Sequence, residues 1–493
     1  MPLLQAQLRS RFEYSKHARI QLTFMQRRVL IYAIVIAVSI AAIAGLLQLG
    51  ERWFPHGGQP ITASTEAAIE ASPLAAANPL RPLPLLIIQM LVIVIATQAV
   101  GAAATTLRQP AVIGEMAAGL LLGPSLLGAV WPGAYTFLFP TASLDILRLL
   151  SQVGVILFMF TVGLDVDAAH LRQRAPTAIA VSHFSIVVPF LLGVAAALGL
   201  YASYAPNDVP FYSFALFMGI ALSITAFPVL ARVIEERGLT RTPLGTTALA
   251  CAAVDDVTAW ALLAAVVTLV TAGGLGWPLA LMGAALATFL VVMIRLVRPW
   301  LDRVFGDVQP PLSRPRTAQV LAVLLASALV TELIGIHALF GAFLAGAIMP
   351  ANHEFRQQLR ERFETLSSVV LLPIFFAYTG LRTEIGLLND VWAWAVCGAV
   401  IVVAIAGKLL GSMLAARWSG SSWHDAFVLG ALMNTRGLME LVALNVGYDL
   451  GILSPRIFTM LVLMALVTTA MTGPLIDLAS RSDVRRAGSI ARP

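Results

Sequence analysis

The stretch PLGTTALACAAVDDVTAWALLAAVVTLVT, residues 243–271, decides the fold. It is apolar and long enough to cross a bilayer, which takes about 20 residues of helix. Two adjacent carboxylates, Asp255 and Asp256, lie near its middle. Each acid at that depth costs about 2.5 to 3.5 kcal/mol on insertion scales, so an intramembrane pair indicates function. The alternative is a structural aspartate, satisfied by a hydrogen bond to a neighbouring helix.

The composition is that of a polytopic membrane protein. Of 493 residues, 59% are hydrophobic and only 12% are charged, whereas soluble proteins carry about 25% charged residues. The net charge is +6, but the basic residues form no stripe of the kind that binds nucleic acid, so we expect no nucleic-acid partner. Cys251 and Cys397 lie inside apolar segments and imply no disulfide framework.

Apolar runs of about 20 residues predict fourteen membrane spans. Arginines collect in alternate connections, which predicts that both termini are cytoplasmic, and we expect a multi-pass protein of a bacterial inner membrane. We predict an N-terminal segment with an extra helix and an extracytoplasmic loop over 1–82, a transmembrane domain over 83–480, and a short cytoplasmic tail over 481–493. The predicted spans are 29–49, 83–107, 110–130, 145–164, 176–200, 209–235, 243–271, 276–297, 316–334, 336–350, 364–381, 391–416, 423–447 and 455–479.

The thirteen spans after the first divide into two halves of six around one linker helix. The first repeat covers 83–271, the linker 276–297 and the second repeat 316–480, which an odd linker inverts. In each half the fifth helix is interrupted, at SITAFPVL (223–230) and at MNTRGLMEL (433–441). One break alone could be a packing kink, but matched breaks in inverted halves indicate a transporter's midplane site. The residues predicted at this crossing are Ser223, Ile224, Thr225, Ala226, Asn434, Thr435 and Arg436.

Asp255 and Asp256 point about 100° apart around a helix, so they need different partners. One can face a water-filled cavity and bind a monovalent cation, while the other faces a neighbouring helix and needs a counter-charge. Lys408, in the apolar segment VVAIAGKLLGSML, is the candidate counter-charge; the alternative is that its ammonium snorkels to an interface. Arg436 lies four residues before Glu440, so the two can pair on one helical face. We expect Arg436 to neutralise Glu440 and the carbonyl ends of the broken helices.

A buried carboxylate can hold a proton or a cation but not comfortably both, and this competition is the simplest basis of antiport. Thr225, Ser223 and Asn434 are candidate oxygen-bearing neighbours of the ion. Glu115 is a further intramembrane acid, for which we favour a packing or gating role. No cofactor is expected beyond the transported cation and protons.

Several segments together resemble the monovalent cation:proton antiporter-2 family, and within it the CHX-like cation/proton exchangers. The resemblance covers about residues 84–480. Its strongest segments are QPAVIGEMAAGLLLGPSLLG (109–128), SQVGVILFMFTVGLDVD (151–167), ITAFPVLARVIEERGL (224–239), AAVDDVTAW (252–260), HALFGAFLAGAIMP (337–350), LLPIFFAYTGL (371–381), GKLLG (407–411) and NTRGLMEL (434–441).

This resemblance implies an all-α, inverted-repeat antiporter with a dimerisation panel and a mobile core, whose two partly unwound helices cross. It implies about 13 core transmembrane helices plus the extra N-terminal one, a homodimer in membrane lipid, and exchange of Na⁺ or K⁺ for protons. It implies that Asp256 carries the cation and the proton, that Asp255 pairs with Lys408, and that Thr225 lies at the crossing. The adjacent aspartates resemble the electrogenic sodium/proton members, although potassium transporters share the overall pattern.

Other functions fit the residues less well. An intramembrane aspartyl protease needs aspartates that face each other from separate helices. A cation channel needs a continuous pore, usually lined by rings of carbonyls or acids. A potassium/proton exchanger, or a potassium efflux system of the glutathione-gated type, differs from our prediction only in ion and gating.

Overall fold

The computed structural model describes residues 34–54, 82–165, 175–240, 242–272, 276–306 and 311–490. For residues 175–179 and 480–490 it describes the backbone only. Residues before 34, most of the extracytoplasmic loop predicted within 1–82, and the end of the predicted tail lie outside the described residues.

The first half of the described chain consists of helices and short connections. The first described helix, α1, spans Ile34–Trp53 and packs against the hydrophobic core through Ile43, Leu46 and Leu47. The helices that follow are α2 Pro82–Thr106, α3 Ala111–Leu122, α4 Pro132–Leu138, α5 Thr141–Asp165, α6 Ala175–Tyr204, α7 Phe211–Ser223, α8 Phe227–Glu236 and α9 Pro243–Thr271. A π-helical turn, Pro124–Gly128, extends α3.

The second half begins with a linker and repeats this order. The linker is α10, Trp277–Val292, which continues through a π-helical turn, Met293–Val297, into α11, Arg298–Phe305. The remaining helices are α12 Arg314–Ile334, α13 Ala338–Ala347, α14 His353–Leu366, α15 Leu372–Leu381, α16 Val391–Trp418, α17 Trp423–Met433, α18 Leu438–Asp449 and α19 Pro455–Ile490.

Twelve helical segments of the described chain are long and apolar enough to cross a membrane, and α17 with α18, bent by 45°, makes one more. The structure differs from the sequence prediction at 336–350. There α13 has only 10 residues, which is about 15 Å of helix against a hydrocarbon core of about 30 Å. The segment is apolar enough for a span, but α13 is too short to cross alone.

The main helix contacts fall into two groups. In what we call the core group, α6 packs against α7, α9 and α16, while α16 and α17 pack against α19. In the panel group, α5 packs against α13 and α15, α3 against α2 and α15, and α12 against α13. Each half gives its first three spans to the panel group and its last three to the core group, which also includes α8 and α18. Most of the helix contacts therefore lie within the core group or within the panel group.

Two glycines let α6 and α16 approach closely. A Cβ atom at Gly407 would lie 2.9 Å from the Cα atom of Pro189, and one at Gly411 would lie 2.9 Å from the carbonyl oxygen of Phe184. Small residues four positions apart allow such contact between membrane helices. Lys408 follows Gly407 directly, so this packing brings its side chain against α6.

Both predicted breaks are present at the fifth position of each half. The helix α7 ends at Ser223 and α8 begins at Phe227, which leaves 224–226 extended. Residues 434–437 separate α17 from α18, and Gly437 there has φ +130°. Only glycine adopts this conformation at little cost, so the second break depends on it.

Candidate functional site

The two breaks meet and are hydrogen-bonded to each other. The backbone N–H of Ala226 donates to the carbonyl of Thr435 at 3.1 Å. The hydroxyl of Thr225 lies 3.3 Å from the carbonyl of Met433. Backbone groups that a continuous helix would pair internally are thus paired across the crossing, as buried backbone in a membrane requires.

Five charged residues gather around this crossing, and within the described chain they are the charged residues that are fully buried: Asp255, Asp256, Lys408, Arg436 and Glu440. All five belong to the core group. Burying a charge is costly unless partners compensate it, so each residue's partners matter.

Asp255 receives its hydrogen bonds on a single oxygen. Its Oδ2 atom accepts from the Ser185 hydroxyl at 2.6 Å and from the Thr225 hydroxyl at 2.7 Å. The Lys408 ammonium lies 3.2 Å from the same atom. The Oδ1 atom is buried and has no hydrogen-bond partner within the described chain. These contacts hold Asp255 as the ion-pair partner of the Lys408 ammonium.

Lys408 does not snorkel, because its side chain has 0% exposure. Besides Asp255, its ammonium donates to the carbonyl of Ser185 at 2.9 Å and to the carbonyl of Ser223 at 2.6 Å. Three acceptors match the three N–H groups of an ammonium. Its charge is therefore fully engaged inside the core group.

Asp256 has a different environment, as the 100° separation predicts. The backbone N–H of Phe227, at the start of α8, lies 3.4 Å from its Oδ1 atom. Its Oδ2 atom has no hydrogen-bond partner within the described chain, and the residue is 3% exposed. The positive end of the α8 dipole favours a negative charge here. Among the described residues, no side chain forms an ion pair with Asp256.

At the first break, the donor and the acceptor of one lost helical hydrogen bond each contact a charged residue instead. In a continuous helix the N–H of residue 227 would bond to the carbonyl of residue 223. Here the Ser223 carbonyl accepts from Lys408, and the Phe227 N–H faces Asp256. Unwinding 224–226 therefore supplies an acceptor for the cation and a donor for the carboxylate.

Arg436 contacts Glu440 and two carbonyls at the end of α7. It lies 3.2 Å from Glu440 and donates to the carbonyls of Ala221 and Leu222 at 2.7 and 2.6 Å. It thus neutralises the negative end of α7 together with Glu440. Its Nε atom and the Glu440 Oε2 atom have no hydrogen-bond partner within the described chain.

The other predicted crossing residues contribute polar atoms around the breaks. The Asn434 amide nitrogen lies 3.5 Å from the Thr468 carbonyl, and the Thr435 and Thr472 hydroxyls are 3.3 Å apart. The Ile224 N–H bonds to the Ile220 carbonyl at 3.3 Å. The structure does not bring Glu115 to the crossing. It lies half-buried on α3 against Gly101, with Arg232 as its electrostatic neighbour.

Sequence reasoning missed two participants, Ser185 and the backbone N–H of Phe227. Ser185 contacts both Asp255 and Lys408, yet a lone serine in an apolar span carries no signal of its own. The signal that could have found it is Pro189, since a proline inside a helix leaves the carbonyl four residues earlier without its donor. The Phe227 N–H could have been found from the rule that half-helix N-termini point at the site.

The chain matches the family model described as sodium/hydrogen exchanger, transmembrane, over residues 90–479. It is 43% identical over 395 residues to the Na⁺/H⁺ antiporter NhaS4 of Synechocystis, covering 80% of this chain and 96% of that relative. It is 40% identical over 414 residues to the cation/H⁺ antiporter 20 of Arabidopsis thaliana, covering 81% of this chain and 49% of that relative. It is 35% identical over 412 residues to the K⁺/H⁺ antiporter 1 of Saccharomyces cerevisiae, covering 81% of this chain and 47% of that relative.

The chain therefore spans about half the length of the plant and yeast relatives. Among solved structures, it matches the sodium proton antiporter MjNhaP1 from Methanocaldococcus jannaschii with a TM-score of 0.59 at 16% identity, over 82% of this chain and 98% of that one. This likeness shows a shared fold. On the family match over residues 90–479 and the 43% identity to a relative that it covers almost completely, the chain belongs to the sodium/hydrogen exchanger family of membrane transporters.

Proposed function

We propose that this chain is a secondary active transporter that exchanges a monovalent cation for protons by alternating access, and that Asp256 carries either the cation or the proton. One observation supports this most directly. Within the described residues, Asp255 is engaged by Lys408, Ser185 and Thr225, whereas Asp256 meets only a backbone N–H and keeps one buried oxygen without a partner. Asp256 is therefore the carboxylate available to a transported ion.

The balance of buried charge supports competition for one position. The crossing holds three carboxylates and two cationic side chains. If all five are ionised, one positive charge is missing, and a buried net charge is costly. One proton or one monovalent cation restores neutrality. We infer that the two compete for the same place, which couples their movement.

The ligands available suit an alkali cation. Four buried oxygens near the breaks lack a hydrogen-bond partner in the described part of the chain: Asp255 Oδ1, Asp256 Oδ2, Asn434 Oδ1 and Glu440 Oε2. Hard cations prefer oxygen ligands, and carboxylate and amide oxygens are both suitable. We propose that Asp256 Oδ2 is the central ligand and that Thr225 stays with Asp255.

We propose Na⁺ or K⁺ as the cation, because the named relatives include both a Na⁺/H⁺ and a K⁺/H⁺ antiporter. The arginine distribution supports cytoplasmic termini. We also propose a bacterial inner-membrane location and a homodimer embedded in lipid. The alternation itself is supported by the division of the helices into two contact groups, since such a boundary lets one group move against the other.

The test is exchange in proteoliposomes that enclose a pH-sensitive dye and carry an imposed proton gradient. Adding Na⁺ or K⁺ should dissipate the gradient with the unmodified protein, while Asp256→Asn should give only the signal of empty vesicles. Asp390→Asn is the matched control, because Asp390 is 49% exposed and pairs with Arg456 away from the crossing. Exchange by a folded Asp256→Asn protein at the rate of this control would refute the carrier role.

A further inference from the structure

Helix α6 contributes no charged residue to the crossing, yet it contacts both members of the Asp255–Lys408 pair. The Ser185 hydroxyl donates to Asp255 Oδ2 at 2.6 Å, and the carbonyl of the same residue accepts from the Lys408 ammonium at 2.9 Å. Ser185 is fully buried. One residue thus holds the anion with its side chain and the cation with its backbone.

The carbonyl of Ser185 is available because of Pro189. In an α-helix this carbonyl would accept from the N–H of residue 189. Pro189 lies inside α6 and has no N–H, so that bond cannot form. Inside a membrane an unsatisfied carbonyl is costly, and the Lys408 ammonium satisfies this one.

Pro189 also sets the distance between the helices. Gly407, the residue before Lys408, packs directly on the Pro189 ring, since a Cβ at Gly407 would lie 2.9 Å from the Pro189 Cβ. The same proline therefore frees the acceptor and positions the donor's backbone against it.

Resting on the function proposed above, we infer that Ser185 and Pro189 are positioning residues for cation/proton exchange. They hold the Asp255–Lys408 ion pair on α6, so that Asp255 stays committed to Lys408 while Asp256 remains available to the transported ion. Neither residue needs to touch that ion. The other charged groups near the Lys408 ammonium are Asp256, Arg436 and Glu440, which these variants leave in place.

The decisive variant is Pro189→Ala, which restores the missing N–H. This N–H can then donate to the Ser185 carbonyl within the helix. The Ser185 carbonyl is then shared between this N–H and the Lys408 ammonium, so the ammonium is held less strongly and gives up its proton more readily. The alkaline limit of the pH profile of exchange should move to lower pH by about one unit, the effect of a tenfold change in a proton equilibrium. Ser185→Ala should move it in the same direction by less, and Ser185→Thr, which keeps the hydroxyl, should restore it.

Two matched controls separate positioning from packing. Ser182→Ala removes a buried hydroxyl one turn earlier on α6 whose Oγ atom has no hydrogen-bond partner within the described chain. Pro474→Ala replaces a proline that lies inside α19 and whose side chain is exposed. Both should keep the pH profile of the unmodified protein, even if either changes the amount of folded protein.

A second readout does not depend on transport. The thermal unfolding midpoint of the purified protein is measured from pH 5 to pH 10. The deficit of Pro189→Ala relative to the unmodified protein should be largest where Lys408 is charged and should shrink at alkaline pH, because the altered acceptor matters only to the charged ammonium. Coincidence of the Pro189→Ala and Ser185→Ala profiles with those of the two controls, in both readouts, would overturn the inference. A shifted stability profile in a protein that exchanges no cation would uphold the positioning role and refute the proposed function instead.

Discussion

Arg382 lies 2.7 Å from Asp449 and joins the panel group to the core group. Arg382 follows α15, and Asp449 ends α18. Beside this pair, Asn445 donates to the Thr379 hydroxyl at 2.9 Å, and the Glu384 N–H bonds to the Thr459 hydroxyl at 3.1 Å. These polar contacts cross between the groups at the end of the molecule that we predict to be extracytoplasmic. In the alternating-access cycle proposed above, these contacts would have to separate.

Asp449→Asn or Arg382→Gln should therefore favour the conformation that is open on this side. The pair is only partly buried, so its loss should shift the equilibrium by about 1 kcal/mol, or roughly fivefold. Ser151→Cys provides the probe, since Ser151 lines a cavity of about 30 Å³ beside Asp449. A membrane-impermeant maleimide should label this cysteine about five times faster in either variant.

The Arg456–Asp390 pair is the matched control for this experiment. It has the same 2.7 Å separation, but both residues belong to the core group, Asp390 at the start of α16 and Arg456 in the first turn of α19. Arg456→Gln should leave the labelling rate unchanged. Equal acceleration in Arg456→Gln and Arg382→Gln would mean that the Arg382 contact does not control opening.

Arg436→Gln should cost more stability than Glu440→Gln. Removing Arg436 leaves the Glu440 carboxylate and the Ala221 and Leu222 carbonyls without their cation, whereas removing the Glu440 charge leaves Arg436 with both carbonyls. Breaking a buried pair from one side costs about 3 to 5 kcal/mol, and Arg436→Gln should lie at the upper end. Thermal unfolding in detergent gives the comparison. An equal or smaller loss for Arg436→Gln would contradict the proposed role of the carbonyl contacts.

Gly407→Ala should impair exchange by forcing α16 away from α6. The new methyl group would lie 2.9 Å from the Pro189 Cα atom, and overpacking of this kind costs about 1 to 3 kcal/mol. The displacement moves Lys408 from its carbonyl acceptors, so both stability and exchange should fall. Gly398→Ala on the same helix is the control, because a Cβ there meets nothing within 4 Å. If both variants behave alike, close packing at Gly407 is not what places Lys408.

Asp390 provides a test of pH dependence outside the membrane. The backbone N–H of Ala393 and then the Arg456 guanidinium hold the pKa of its carboxyl below the ordinary value of 3.8. A depressed folded-state pKa stabilises the protein above the ordinary pKa and ceases to do so as the pH falls through the folded-state value. Asn also caps helices, so Asp390→Asn isolates the charge. The difference in unfolding midpoint between the two proteins should be present at pH 7 and disappear below pH 3.8. A difference that is constant down to pH 3 would contradict this assignment.

The hydrophobic pattern predicts much of this fold because lipid leaves the chain few choices. Apolar runs locate the spans, and Pro228 and Gly437 locate the two breaks, since these residues interrupt helices for reasons of covalent structure. What the pattern does not contain is which spans pack together. The contact of α6 with α16 depends on Gly407 and Gly411, which in the sequence are only two glycines among 37.

The candidate site also has a part that the sequence reveals and a part that it does not. Charged residues in apolar spans are visible because their cost demands a reason, so Asp255, Asp256, Lys408, Arg436 and Glu440 could all be named beforehand. Backbone donors and acceptors are present at every residue and give no such signal. The contribution of the Ser223 carbonyl therefore appears only once the helices are placed in space. Those of the Ser185 carbonyl and the Phe227 N–H are indicated only indirectly, by Pro189 and by the start of a half-helix.

The charged residues and their hydrogen-bonding partners at the crossing are all supplied by one set of helices, α6 to α9 and α16 to α19. In the transport cycle proposed here, an ion bound at Asp256 would keep the same ligands from one face of the membrane to the other. Discrimination among ions would then be decided once, at loading. The movement in each transport cycle would take place at the apolar boundary around these helices, outside the ion site. Bilayer thickness and fluidity should therefore affect the turnover rate more than the ion selectivity.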